Sequence, residues 1–231
     1  SQNKAKLIEG PIGITLLKLA VPMVFGLISV MLFNLVDTWF VGKLGTTELA
    51  AISFTFPITY IMFSVMMGFS VGTSAMLAKA IGAGDHDKAQ KITIHSLSLS
   101  SLVILLLALL GYLTIDDLFL SLGASADTLP FIRDYMQIWY AGIILLNIPI
   151  VGNGAMRATG DTISPSIVML SSTILNMILD PIFIFGYGPI SPLGVKGAAI
   201  ATVISWLLCV FVALNFLHFK HKMIMFRNIH K

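Results

Sequence analysis

Six apolar stretches, each long enough to cross a bilayer as a helix, fill most of this chain. They run over about 15–41, 50–77, 92–113, 131–155, 165–185 and 197–219. A spanning helix needs roughly 20 mostly apolar residues, and each stretch meets that need. Only 11% of the 231 residues are charged, against about 25% in a soluble domain. The stretches are continuous, not the alternating segments of about ten residues that build an outer-membrane barrel. The expected fold class is therefore all-α and integral to the membrane, a bundle of six transmembrane helices.

The breaks at 42–47, 82–87, 114–130, 157–164 and 186–194 are short. They leave no room for an inserted soluble domain, so residues 1–231 read as one transmembrane unit. The polar opening SQNKAKLIEGP has no signal-peptide cleavage pattern. With that opening placed in the cytoplasm, the inner side holds Lys4, Lys6, Lys18, Lys79, Lys88, Lys91, Arg157, Lys220, Lys222, Arg227 and Lys231. The outer side holds Lys43, Arg133 and Lys196, and the long outer loop carries Asp116, Asp117 and Asp127. Basic residues accumulate on the cytoplasmic side of membrane proteins, so both termini are expected there, in a multi-pass protein of the plasma membrane.

Two carboxylates lie inside this apolar sequence: Asp37 in LISVMLFNLVDTWFVG and Asp180 in SSTILNMILDPIFIFG. A charged side chain at membrane depth costs roughly 2.5–3.5 kcal/mol on insertion scales. Binding or moving a cation is the usual reason to keep one; reaching interfacial water, or bracing a neighbouring helix, is the plainer alternative. A rise of about 1.5 Å per residue puts Asp37 about 6 Å below the outer end of its span and Asp180 about 8–10 Å below its own. Asn176 is one turn deeper, on the same face as Asp180. Thr202, on the sixth span, falls about 8–12 Å from the outer edge. Carboxylate, amide and hydroxyl oxygens in one layer suit a hard cation such as Na⁺, and the same oxygens can take a proton. Pro181 frees the carbonyl of Met177 beside Asp180, and Pro22, Pro57 and Pro149 also interrupt spans. Each is a static bend or a hinge.

Other chemistry is thin. No phosphate-binding loop or nucleophile motif is present, so no enzymatic activity and no cofactor are expected. The five histidines (His86, His95, His218, His221 and His230) are scattered, and His218-x-x-His221 reads as solvated basic sequence. Cys209 is the single cysteine, so no intramolecular disulfide can form. Met62, Met66 and Met67 make a flexible apolar patch suited to packing or to varied ligands. Trp39, Trp139 and Trp206 are candidates for interface anchors, although Trp39 so near Asp37 could line a cavity instead. Gly68-x-x-x-Gly72 and the Gly194–Ala201 stretch would let helices pack closely.

Several segments, in order, resemble the N-terminal half of a multidrug and toxic compound extrusion (MATE) transporter. Pro22 with Asp37 resembles the first helix. Asp37-Thr-Trp-Phe-Val-Gly-Lys-Leu-Gly45 and Leu49-Ala-Ala51 resemble its exit into the second. Gly82-Ala-Gly84-Asp85 is similar to the next inner loop, and Gly152–Asp161 with Pro165 to the loop between helices four and five. Asn176-x-x-x-Asp180-Pro181 and Gly194-x-x-Gly197-Ala-Ala-x-Ala-Thr202 resemble helices five and six.

The resemblance implies one six-helix lobe of a two-lobe (6+6) secondary antiporter that exports organic cations or drugs in exchange for H⁺ or Na⁺. It implies a cation site at Asp37, Asn176, Asp180 and Thr202, with Pro22 and Pro181 as hinges and no metal beyond Na⁺. The implied partners are a small amphipathic, cationic substrate, the lipid bilayer, and a C-terminal lobe or a second copy of the chain. The two lobes would be related by an axis along the membrane normal. No nucleic acid partner is expected. Two rivals remain at this point: a flippase for lipid-linked saccharides of the same superfamily, and a membrane scaffold that transports nothing.

Overall fold

A computed structural model describes residues 12–224. Lys4, Lys6, Arg227, His230 and Lys231 lie outside the described residues. Among the described residues six helices are long and apolar enough to span a membrane: α1 (Ile12–Gly42), α2 (Thr46–Gly82), α3 (His86–Leu113), α5 (Leu129–Ala158), α6 (Ile163–Phe185) and α7 (Val195–Asn215). The last continues into a π-helical turn, Phe216–Lys220. Among the described residues the only β pairing is an isolated bridge between Tyr187 and Ile190.

The expected spans all form, and most reach a turn or more further than their apolar cores. The break at 114–130 differs from expectation, because it contains a short helix, α4 (Ile115–Ser121). Its sequence explains it. Ile115 and Phe119, four apart, are both buried, and Asp116 and Asp117 sit in the first turn, where the helix dipole favours acids. Arg133 of α5 then grips Asp116 through two hydrogen bonds, at 2.6 and 3.0 Å.

Two turns on one side of the bundle use the same device. Gly84 (φ 75°) and Gly160 (φ 80°) end α2 and α5 in the left-handed region that glycine tolerates. The next residue is an aspartate in both cases. Asp85 accepts from the Lys88 amide at 2.9 Å, and Asp161 accepts from the Ile163 and Ser164 amides at 3.0 Å. Each thereby satisfies amides at a helix start that have no intrahelical partner.

Burial is uneven. α5 is the axis of the bundle and buries most of its inner two-thirds, packing on α2, α3 and α7. α1 lies at the edge and buries only Gly26, Ser29, Asp37 and Val41, a single stripe. Its other faces expose Phe25, Met31 and Leu35, as a lipid-facing helix should. α1 packs mainly on α6 rather than on its sequence neighbour α2. α6 buries Ser164, Val168, Ser172, Asn176, Asp180 and Ile184 at unbroken four-residue spacing. That spacing is one face of a helix, and both buried acids of the spans therefore point into protein.

Close helix approach follows one expected glycine motif and not the other. A Cβ at Gly197 would strike the backbone of Phe183, so α6 and α7 touch there. Gly68 and Gly72 have nothing within 4 Å of a Cβ position. They line a shallow groove between α2 and α3 with Val65, Phe69 and Leu99, and the expectation of tight packing fails at that pair.

Candidate functional site

α1 and α6 run side by side, and their register is pinned by two hydroxyl groups. Ser166 Oγ donates to the Pro22 carbonyl at 2.5 Å, and Thr173 Oγ1 to the Ser29 carbonyl at 3.0 Å. Donors and acceptors are both seven residues apart, two turns on each helix. One more step of seven brings Asp180 level with Val36, beside Asp37. The hydroxyl ladder thus delivers the two carboxylates to the same height.

The structure brings all four expected cation ligands into the interior. Asp37 is 7% exposed, Asn176 and Asp180 are fully buried, and Thr202 is 1% exposed. Asn176 Nδ2 donates to Asp180 Oδ1 at 3.0 Å. Asp37 Oδ1, Asn176 Oδ1, Asp180 Oδ2 and Thr202 Oγ1 are buried with no hydrogen-bond partner among the described residues. Leaving a buried polar atom unpartnered costs about 1–3 kcal/mol, and native proteins keep few of them. Each member of this set leaves one oxygen open. Such oxygens, two of them carboxylate, match the ligands of a hard monovalent or divalent cation and serve equally as proton acceptors.

A fifth residue joins the set. Tyr135 of α5 is 6% exposed and lies beside Thr202, within electrostatic reach of both Asp37 and Asp180. Sequence reading passed it over. Its depth alone could have found it, since it sits near the outer end of the fourth span, four residues before Trp139.

The site borders a cavity of about 160 Å³. Asp37, Asn34, Tyr135 and Thr202 reach its wall, whereas Asn176 and Asp180 do not. The remaining lining is largely aromatic and apolar: Phe33, Phe56, Tyr60, Phe63 and Met66, with Trp139 and Trp206. Trp139 and Trp206 are buried, with ring centroids 5.8 Å apart and nearly perpendicular. They are cavity walls, not interface anchors. Trp39 behaves the opposite way: it is exposed, stays out of the cavity, and carries the Lys43 ammonium 3.6 Å from its ring centre. Met62 and Met66 are buried, and Met66 faces the cavity.

The proposed hinge prolines both lie within continuous helix, Pro22 in α1 and Pro181 in α6. Pro22 cannot donate to the carbonyl four residues back, and its own carbonyl is taken by Ser166.

At the opposite end of the bundle, Asp161 gathers a second polar cluster. Lys220 Nζ lies 2.7 Å from it, His221 Nε2 3.1 Å, and Ser164 Oγ donates at 2.6 Å. Burial pushes the Asp161 carboxyl up, but the hydrogen bonds from Lys220 and Ser164 outweigh this and hold it well below the ordinary carboxylate range. His221 is pulled below its ordinary value, chiefly by burial and against the pull of Asp161. His221 is thus a buried strut, not the solvated residue its basic sequence suggests. Among the described residues no three His, Cys, Asp or Glu side chains could hold a metal together.

With this geometry in place, the comparisons with known proteins are specific. The MatE family model matches residues 22–182. This chain belongs to the MatE family, a family of membrane transporters. A FAD transporter of Shewanella oneidensis is 44% identical over 223 residues, which cover 96% of this chain and 49% of that protein. The multidrug export protein MepA of Staphylococcus haemolyticus is 31% identical over 198 residues, 85% of this chain and 43% of its own length. A crystal structure of MATE in the bent conformation superposes with a TM-score of 0.88 at 32% identity, over 98% of this chain and 50% of the other. The chain spans about half the length of the relatives it matches, and its six-helix bundle corresponds to one lobe of a MATE transporter.

Proposed function

We propose that this chain forms one lobe of a cation-coupled exporter of the plasma membrane, with both termini cytoplasmic. The coupling ion, Na⁺ or H⁺, binds among Asp37, Asn176, Asp180 and Thr202, with Tyr135 alongside. The observation that carries this reading is the set of four buried oxygens, one on each expected ligand, that have no hydrogen-bond partner among the described residues.

The cargo occupies the cavity on the other side of Asp37 and Thr202. Its aromatic walls suit a planar ring system, which gains both apolar burial and edge or face contacts with Trp139 and Trp206. The 44% identity to a FAD transporter supports a flavin as the first compound to test. An amphipathic organic cation is the second reading. It is favoured by the carboxylate of Asp37 on the cavity wall and by the likeness to MepA.

In the mechanism, a cation entering the site draws Asp37 of α1 and Asp180 of α6 together. α1 is peripheral and carries Pro22, so it is the element free to bend or straighten. Its movement reshapes the cavity wall at Val30, Phe33 and Asn34 and expels the cargo outward, while the lobe rocks against its partner lobe. The test is ion-driven efflux of FAD and of an organic cation by the intact protein, wild type and Asp37→Asn. Efflux driven by Na⁺ or pH should be lost in Asp37→Asn. Unchanged coupled efflux would remove Asp37 from the mechanism.

A further inference from the structure

The helix faces that line the cavity do not end where it closes. On α5, Trp139 and Leu146 face it, seven residues apart. The next residue in that series is Asn153, about 10 Å further in by helix rise, and Arg157 follows one turn later on the same face. On α2, Met66 faces the cavity and Ser70 is one turn deeper. The two stripes meet. Arg157 Nη2 donates to Ser70 Oγ at 2.9 Å. Gly154 makes the meeting possible, because a Cβ there would strike the Ser70 backbone.

This junction is chemically unfinished. Asn153 is 1% exposed, and neither its Oδ1 nor its Nδ2 has a hydrogen-bond partner among the described residues. Arg157 is only partly exposed, and Ser70 is its one hydrogen-bond partner among the described residues. Among those residues it makes no ion pair. The nearest acid in sequence, Asp161, is engaged by Lys220, His221 and Ser164. Ser70 does not complete the site, since its own proton goes to the Ile150 carbonyl at 2.7 Å. A guanidinium withdrawn from water without a counter-charge is costly. Its planar fork of five donors is the best side-chain match for phosphate oxygens, and an amide N–H₂ beside it adds a further donor.

We propose that Arg157 and Asn153, with Ser70 holding the guanidinium in place, form an anion subsite at the inner end of the cavity stripe, which receives the phosphate groups of a phosphorylated aromatic substrate. The proposal rests on the exporter reading above and gives its cargo a second point of attachment. The acidic cation site and the basic subsite lie toward opposite ends of α5, so coupling ion and phosphate do not compete for one place. A substrate entering from the cytoplasmic side meets Arg157 first and the aromatic walls afterwards.

The test measures binding of FAD, inorganic pyrophosphate and riboflavin to the intact purified protein, followed by quenching of its tryptophan fluorescence or by calorimetry. Riboflavin has the ring system without phosphate. Arg157→Gln should weaken FAD and pyrophosphate binding by about 10- to 100-fold, the loss expected for a charge-assisted pair, and leave riboflavin binding unchanged. Arg157→Lys should restore part of the loss. Unchanged FAD and pyrophosphate affinity in Arg157→Gln overturns the subsite and leaves the exporter standing. A wild type that binds pyrophosphate no better than chloride also overturns it. If the protein moves organic cations and not FAD, the choice of cargo fails, and pyrophosphate binding still decides the subsite. Should Arg157→Gln not fold, Asn153→Asp, which sets a carboxylate beside the guanidinium, must lower pyrophosphate affinity in its place; no change there overturns the proposal.

Discussion

Sodium ions should stabilise this protein through the Asp37–Asp180 site, and Asp180→Asn should abolish that effect. Asp37 Oδ1, Asn176 Oδ1, Asp180 Oδ2 and Thr202 Oγ1 are buried without hydrogen-bond partners among the described residues. A bound cation gives all four a ligand, and it binds the folded state only, because the register that assembles them is lost on unfolding. Linkage then fixes the size of the effect. At a free ion concentration a hundred times Kd the stabilisation is about 2.7 kcal/mol. For a chain of this size that corresponds to a rise in Tm of about 5–11 °C. Asparagine at position 180 keeps the shape and still accepts from Asn176, but it removes one of the two charges that hold the ion. Its shift should fall below about 2 °C under the same conditions. The assay is thermal unfolding followed by tryptophan fluorescence, in NaCl against choline chloride at equal ionic strength, with a parallel acid titration for a proton-coupled site. A wild type indifferent to both Na⁺ and acid refutes the reasoning. So does an Asp180→Asn protein that responds as fully as wild type.

Two further perturbations probe what holds the site in place. Ser166→Ala combined with Thr173→Val removes both rungs between α1 and α6. At about 0.6 kcal/mol for a typical hydrogen bond between membrane helices, the pair should cost about 1 kcal/mol. Hydrogen exchange confined to α1 should rise in this variant, and protection equal to wild type would show that the rungs do not fix the register. The cluster under α6 gives a pH dependence with a defined sign. His221 is held below its ordinary value near 6.5, so the unfolded ring takes up a proton before the folded one. Its contribution is complete above about 6.5 and is lost as pH falls toward the folded value. Asp161 is likewise held low, so its contribution is present above the ordinary carboxylate pKa of about 3.9 and is lost only in stronger acid. His221→Gln should therefore flatten the stability profile just below pH 6.5 and leave the steeper acid limb. A profile identical to wild type in urea unfolding would count against that assignment.

The sequence disclosed composition, span number and ligand type, because these depend on local features. Helix-length apolar runs have one stable outcome in a bilayer, and an oxygen-rich residue within such a run is conspicuous by its cost. What could not be read is whatever depends on which faces meet. Trp139 and Trp206 have the composition of interface anchors and became cavity walls only because α5 is the central helix. Gly68 and Gly72 have the spacing of a packing motif, yet the face they mark looks onto a groove. Tyr135 carries an ordinary aromatic signature in the sequence, and it joins the proposed cation site only because α5 and α7 bring it to Thr202.

The α1–α6 pair shows how the two kinds of information combine. Helix rise alone places Asp37 and Asp180 in one broad layer, with an uncertainty of about a turn. Ser166 and Thr173 are unremarkable residues in an apolar helix until their acceptors, Pro22 and Ser29, are known. Those two bonds share one sequence offset, and extending the same offset leads to Asp180 facing the turn that bears Asp37. A packing register fixed two to four turns away therefore sets the distance between the two charges. The first acceptor in that register is the carbonyl of Pro22, the residue at which α1 is weakest. If α1 bends there, the rung at Pro22 and the spacing of the carboxylates must change together. That link is what the proposed coupling site needs, because occupancy by an ion would then select the shape of the helix that walls the cavity.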